Sequence, residues 1–455
     1  MVYAFSFAFG KKSSLMLILV ISCTIVIDST IVKFSTFIRS EFPTLTNVVI
    51  FVTISTIFTM CSIVLLRFAK KSNSKFGHKH ELILKYSYTA ISLTQCLIIG
   101  ILVLNILQMV FLKSYSILLL FSAVYITHLS VLLFLVVMVF ILVGWFRSNR
   151  NYIVMLYAIS FSLLSLNILI SLLYLIHQLS YALSSIRPYP IHLFLVMHPA
   201  SQLTNSFNTT LDVLSLLSFV LAWIATAALL GHYRHRMGKI RYWMIISIPL
   251  VYFLFPFETY FANIFQRFML DSSVIFGLSY VIVFSATKQV GGILFAMVFL
   301  TTSTIINRPK LRHSLIITAA GMAILFGSVE IDSLLYAVYP PYGLVTISFM
   351  PIGSYLLLTG IFVSATFVSQ DAELRKEFYK SAESRLNLLR TIGVTEMEKE
   401  LEKQVKFVQK RSRVSKKEEE LHLEEQELHL EEENVKEILH DVLNELYHSR
   451  DNHTE

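Results

Sequence analysis

Cysteine is scarce: only Cys23, Cys61 and Cys96 occur in 455 residues, and no two of them stand in a CxxC spacing. That excludes a disulfide framework and a cysteine zinc site. Acidic residues are scarce over most of the chain. Residues 1–368 hold 8 of the 30 acidic residues but 23 of the 38 basic ones. Signatures of chemistry are missing too: there is no P-loop, no GxSxG elbow and no paired-carboxylate constellation. The expectation is a non-enzymatic protein with no cofactor and no metal. Glycine and proline are also absent between Ile361 and Ile392, so nothing local stops a helix over that stretch.

What is abundant is apolar sequence. The chain is 55% hydrophobic with a mean hydropathy of +0.65, which a single soluble domain of this length does not reach. The reading is an all-α, polytopic membrane helix bundle. Apolar runs long enough to cross occur at about 13–34, 47–66, 86–111, 117–144, 152–176, 211–231, 242–257, 314–339 and 343–368, with a longer composite run at 273–306. Lys11-Lys12 before the first run imitates a signal peptide. Asp28 and Lys33 follow without a small-x-small cleavage pattern, so that run reads as a retained span.

Lys and Arg set the orientation. A cytoplasmic N-terminus places 17 basic residues of residues 1–368 inside, among them Lys11-Lys12, Arg67 to Lys85, Arg234 to Arg241 and Arg308 to Arg312. Six fall outside or near the outer face: Lys33, Arg39, Lys113, Arg187, Arg267 and Lys288. The basic excess is therefore explained by topology, and no nucleic acid is expected. The run 273–306 must cross an odd number of times, either as one tilted helix or as a dip over about 274–286 followed by a crossing at 290–306. The join Lys288-Gln289 with Gly291-Gly292 favours the dip. This gives about ten crossings, with both termini cytoplasmic in the cell membrane.

The loop 177–210 is the largest outer one and contains the sequon Asn208-Thr209-Thr210. Its histidines, His177, His192 and His198, show no metal-ligand spacing, and His128 is alone in its span. Residues 369–455 form a charged helical tail. Gly393 is a helix stop, and Thr395-Glu396-Met397-Glu398 reads as a capping box for a further helix. A basic block at 399–417 precedes an acidic one at 418–433, and Leu421, Leu428, Val435 and Val442 recur every seven residues. Their companion positions are mostly Glu, so the coiled-coil seam is weak.

Four ionisable residues fall at similar depth near the outer side of the bundle: Asp28, Lys288, Glu330 and Asp332. Charges there are costly unless paired or wetted, so a shared polar cavity is one reading. The plainer one lets Lys288 snorkel outward and has Glu330 and Asp332 end their helix; those two are also about 200° apart on a helix. In the last span, Pro351 frees a carbonyl, while Gly353, Gly360 and Ser364 give one face of small residues. That face is either a hinge or an ordinary packing surface.

The stretch Pro340-Pro341-Tyr342-Gly343-Leu344, Ser348-Phe349-Met350, Gly353-Ser354-Tyr355-Leu356 and Gly360-Ile361 leads into Val368-Ser369-Gln370-Asp371 and Leu374-Arg375. With Ser381-Ala382-Glu383, Ile392-Gly393 and Met397-Glu398-Lys399-Glu400, it resembles a family of multispanning membrane proteins present as many paralogues in ammonia-oxidising archaea. The likeness is clearest over about 340–408. It implies an archaeal cell membrane and a tail junction common to the family, and no activity. The expected partners are the lipid bilayer, a cytoplasmic protein bound through 369–455, and a second copy of the chain. The expected function is a sensor or scaffold coupling an outer polar cavity to the tail, with a transporter or channel as the alternative.

Overall fold

The computed structural model describes residues 20–28, 31, 44–73, 81–112, 116–148, 152–184, 202–231, 238–247, 290–303, 308–328 and 340–370. Among these the structure is helical, with no strand. The helices are α1 (20–28), α2 (Thr44–Asn73), α3 (Glu81–Leu112), α4 (Ile117–Ser148), α5 (Tyr152–Ser184), α6 (Gln202–Gly231), α7 (Lys239–Ser247), α8 (Val290–Ser303), α9 (Pro309–Gly327) and α10 (Leu344–Gln370). Six of them, α2 to α6 and α10, are long and apolar enough to cross a membrane.

Most helices run past the apolar stretch that predicts them. Helix α5 continues to Ser184 and α6 already begins at Gln202, so the sequon residues lie in the helix rather than in a loop. There the Thr210 hydroxyl donates to the Ser206 carbonyl at 2.8 Å. Helix α9 instead closes early: Ser328 follows Gly327 as its C-cap, its N–H donating to Leu325. Most of the run 242–257 and the segment 273–289 lie outside the described residues, as does the whole tail from 371 onward.

The contacts give the relative directions. Phe51 and Phe58 of α2 meet Tyr342 and Phe349 edge-on, at 6.0 and 4.7 Å between centroids, so α2 runs parallel to α10. Gln95 of α3 reaches Ser348, whereas Leu84 packs with Phe362 and Val363, so α3 runs antiparallel. Phe134 of α4 meets Tyr355, and Ile141, two turns further along, packs on the cluster of Leu84, Phe362 and Val363, which makes α4 parallel. Helices α5 and α6 are antiparallel, joined by buried polar pairs: Ser160 with Ser218, Asn167 with the Leu211 carbonyl, and Tyr157 with Thr226.

Helix α10 is the centre of this assembly. Every residue from Leu344 to Phe367 is buried apart from Ile361 and Phe367, which are half-buried. The outer helices carry the apolar surface a bilayer requires, as with Leu93, Leu97, Val103 and Leu104 on α3 and Leu129, Leu133 and Phe140 on α4. Helix α9 lies antiparallel against α10 in backbone contact. A Cβ on Gly360 would lie 2.6 Å from the Thr318 nitrogen, and one on Gly353 would lie 2.9 Å from the Leu325 nitrogen. One on Gly321 would lie 2.8 Å from the Leu357 Cα. Without a hydrophobic force between helices in lipid, such close approach supplies the dispersion contacts that hold the pair. The Ser314 and Ser364 hydroxyls share a hydrogen bond of 2.9 Å at its far end.

This packing makes a sharp contrast between glycines. Gly321→Ala or Gly360→Ala should destabilise the bundle by about 1–3 kcal/mol, because the backbones must part. Gly100→Ala, with nothing within 4 Å of the added carbon, should be neutral or stabilising by up to about 1 kcal/mol. Thermal unfolding of the three variants in detergent checks the order.

Candidate functional site

The start of α10 poses a local problem. Pro340, Pro341, Tyr342 and Gly343 form a tight turn in which the Tyr342 N–H donates to the Pro340 carbonyl at 2.8 Å. Gly343 has φ of +90°, the left-handed conformation that glycine adopts without strain. The helix then begins inside the bundle, where Leu344 to Phe349 are fully or almost fully buried. The first amide hydrogens of any helix lack partners within it, and neither lipid nor the apolar side chains around them can accept them.

Asp28 of α1 supplies the acceptors. Its side chain has no exposed surface. Its Oδ1 accepts the Gly343 N–H at 3.2 Å, and its Oδ2 accepts both the Thr346 N–H at 3.0 Å and the Thr346 hydroxyl at 2.7 Å. Thr346 is the third residue of α10, the position an N-cap side chain normally reaches. Asp28 thus does the work of an N-cap from a helix more than three hundred residues away in sequence. The positive end of the helix dipole also faces its carboxylate. Beside it the Tyr342 hydroxyl donates to the Asn47 carbonyl at 2.8 Å, tying α2 into the same corner.

The remaining candidate residues are distributed as follows. Lys288, Glu330, Asp332 and Gly393 lie outside the described residues. Pro351 lies inside α10, where it has no N–H for the Ile347 carbonyl. Close by, Gln95 Nε2 approaches the Ser348 carbonyl at 3.5 Å. Gly353 and Gly360 both face α9. His128 is buried, with Nδ1–H donating to Val124 of its own helix at 2.8 Å. His177 stacks on Phe207, at 6.4 Å between ring centroids. Among the described residues no three His, Cys, Asp or Glu side chains come together as metal ligands.

Thr346, Tyr342, Gly343 and Asn47 are the partners that sequence reading misses. The turn residues stand out as a Pro-Pro-Tyr-Gly group, but nothing in the spacing links them to Asp28. Searches against protein-family models, curated proteins and solved structures find nothing that matches this chain.

Removing the carboxylate leaves two amide hydrogens and a hydroxyl buried without acceptors. Asp28→Ala should therefore cost about 2–4 kcal/mol, the sum of a lost cap and orphaned donors. Thr346→Val, which removes one of three bonds, should cost about 1 kcal/mol. Hydrogen exchange at the Gly343 and Thr346 amides should quicken in Asp28→Ala and stay protected in Thr346→Val.

Proposed function

We propose that the protein is a multi-pass sensor or scaffold of the cell membrane in which α10 carries the signal. The observation supporting this is the bond between Asp28 and the first turn of α10. An event at the outer side that shifts α1 acts directly on the start of the one helix that every neighbour encloses. The sequence beyond Gln370 continues without a helix breaker to Ile392, so a shift of α10 is passed to the charged segment 369–455. In this reading there are about ten crossings, both termini are cytoplasmic, and the polar cavity near Asp28 includes Lys288, Glu330 and Asp332. The tail meets a cytoplasmic protein or a second copy through its weak heptad repeat. The membrane in this reading is an archaeal one, which rests on the resemblance over 340–408 alone.

A ligand shifts such an equilibrium only by its differential affinity for the two states. The sensor reading therefore requires that Asp28 be bonded differently in each. A transporter or channel is the second reading, favoured by a buried carboxylate in a span and by the glycines at 291–292.

Asp28→Asn preserves the side-chain volume while weakening the acceptors. In full-length protein in nanodiscs it should change the protease sensitivity of the segment around Gly393 several-fold, with no ion or solute flux in reconstituted vesicles. Unchanged tail cleavage, together with flux that survives deletion of 370–455, would reject the sensor in favour of transport.

A further inference from the structure

The polar groups around α10 divide into two sets. Towards its C-terminal end they are mostly satisfied, Thr359 Oγ1 excepted: Ser314 pairs with Ser364, Thr318 donates to Ser314, Ser364 to Gly360 and Thr366 to Phe362. On the helices that surround its N-terminal half several are not. Ser55 Oγ, Gln95 Oε1, both amide atoms of Asn105, Thr127 Oγ1, His128 Nε2 and Ser328 Oγ are buried without a hydrogen-bond partner among the described residues. Each of these side chains is at least 98% buried.

The helix directions place these residues along the first half of α10, Asn105 level with its preceding turn and the others nearer Ser348. Ser55 lies between Phe51 and Phe58 on the stripe of α2 that meets Tyr342 and Phe349. Gln95 touches Ser348. Thr127 lies two turns before Phe134 on α4, as Ser348 lies two turns before Tyr355 on α10. Ser328 ends α9 one turn beyond the Leu325 that meets Gly353. Asn105, three turns along α3 from Gln95, falls level with Asn47 and the Tyr342 turn. Because His128 Nδ1 donates to a carbonyl, its Nε2 in the neutral ring is an acceptor, as Gln95 Oε1 always is. The occupant must therefore donate hydrogens to these and accept from Asn105 Nδ2, and the three hydroxyls can turn to meet it.

The geometry points to a belt of internal water bound by Ser55, Gln95, Asn105, Thr127, His128 and Ser328 around the first half of α10, from the Asp28 cap to Pro351. Unpaired polar atoms in a water-poor bundle cost about 1–3 kcal/mol each, and buried water is the usual partner of such groups. The belt holds whether the protein senses or transports. It makes the two halves of α10 mechanically different. Bonds to water exchange in place, so the first half can shift without baring a polar group. The second half, in backbone contact with α9 through Gly353, Gly360 and Gly321, shifts only together with α9.

X-ray hydroxyl-radical footprinting oxidises side chains next to bound water even where bulk solvent does not reach. Met350, beside the belt, and Met322, which lines a small apolar cavity with Tyr157 and Phe161, are both buried to within 1% and are chemically identical probes. In the full chain in nanodiscs Met350 and Phe349 should be oxidised several-fold faster than Met322, and Gln95→Leu with Thr127→Val should lower that ratio. Equal slow rates at Met350 and Met322 in the unsubstituted protein would overturn the assignment, so it is tested even where the double variant fails to fold. Thermal stabilisation by sodium over choline chloride at equal ionic strength, lost in the double variant, would replace water by an ion and likewise overturn it.

Discussion

A helix that begins inside a membrane bundle must find acceptors for its first amide hydrogens, because neither lipid nor apolar side chains can supply them. In this protein the acceptor is the carboxylate of Asp28, and the position of α10 depends on it. Once Gly343 and Thr346 are fixed to α1, Tyr342 is placed against Phe51 and Asn47, and Phe349 against Phe58. The rest of α10 then lies in register with α3, α4 and α9. A single ionisable side chain thus sets the height of the central helix relative to its neighbours.

Two kinds of contact complete the enclosure of α10, and they have opposite consequences. Backbone contact at Gly321, Gly353 and Gly360 leaves no space for a side chain between α9 and α10, so this part of α10 moves with α9 as one unit. Polar contact at Asp28 and at Gln95 is directional and can be exchanged for another donor or acceptor. Movement of α10 relative to α9 therefore concentrates between its first turn and Pro351, where the proline has already removed one bond of the helical ladder.

The helical, membrane-spanning character of the chain was legible in the sequence because its causes are local. Long apolar runs, interrupted by basic loops, give the helices that carry the bundle, and the small-residue face at Gly353 and Gly360 follows from spacing alone. Asp28 also stands out, as the one acidic residue within the first apolar run. Its partners do not, for a physical reason. Two of its three bonds come from backbone N–H groups, which every residue but proline possesses, so composition carries no mark of them. Gln95, Asn105 and Thr127 were legible in principle: each is a polar residue within an apolar run, on the face later found buried. Reading runs for total hydropathy rather than by face passes over them.

The site also bears on why an acidic residue occupies this position when serine or threonine caps most helices well. A neutral cap on α1 would offer one hydroxyl oxygen to three donors. A carboxylate offers two oxygens with about four lone-pair positions and meets all three. It also answers the helix dipole with charge, where low dielectric makes that attraction stronger than at a surface. The same property makes the cap sensitive. A carboxyl group that accepts three hydrogen bonds responds to any change in its proton count or in its surroundings, which a hydroxyl would not. Rigid placement of α10 and responsiveness of its first turn therefore follow from one residue, and a substitution that separates them must keep the shape of Asp28 while altering its acceptor strength.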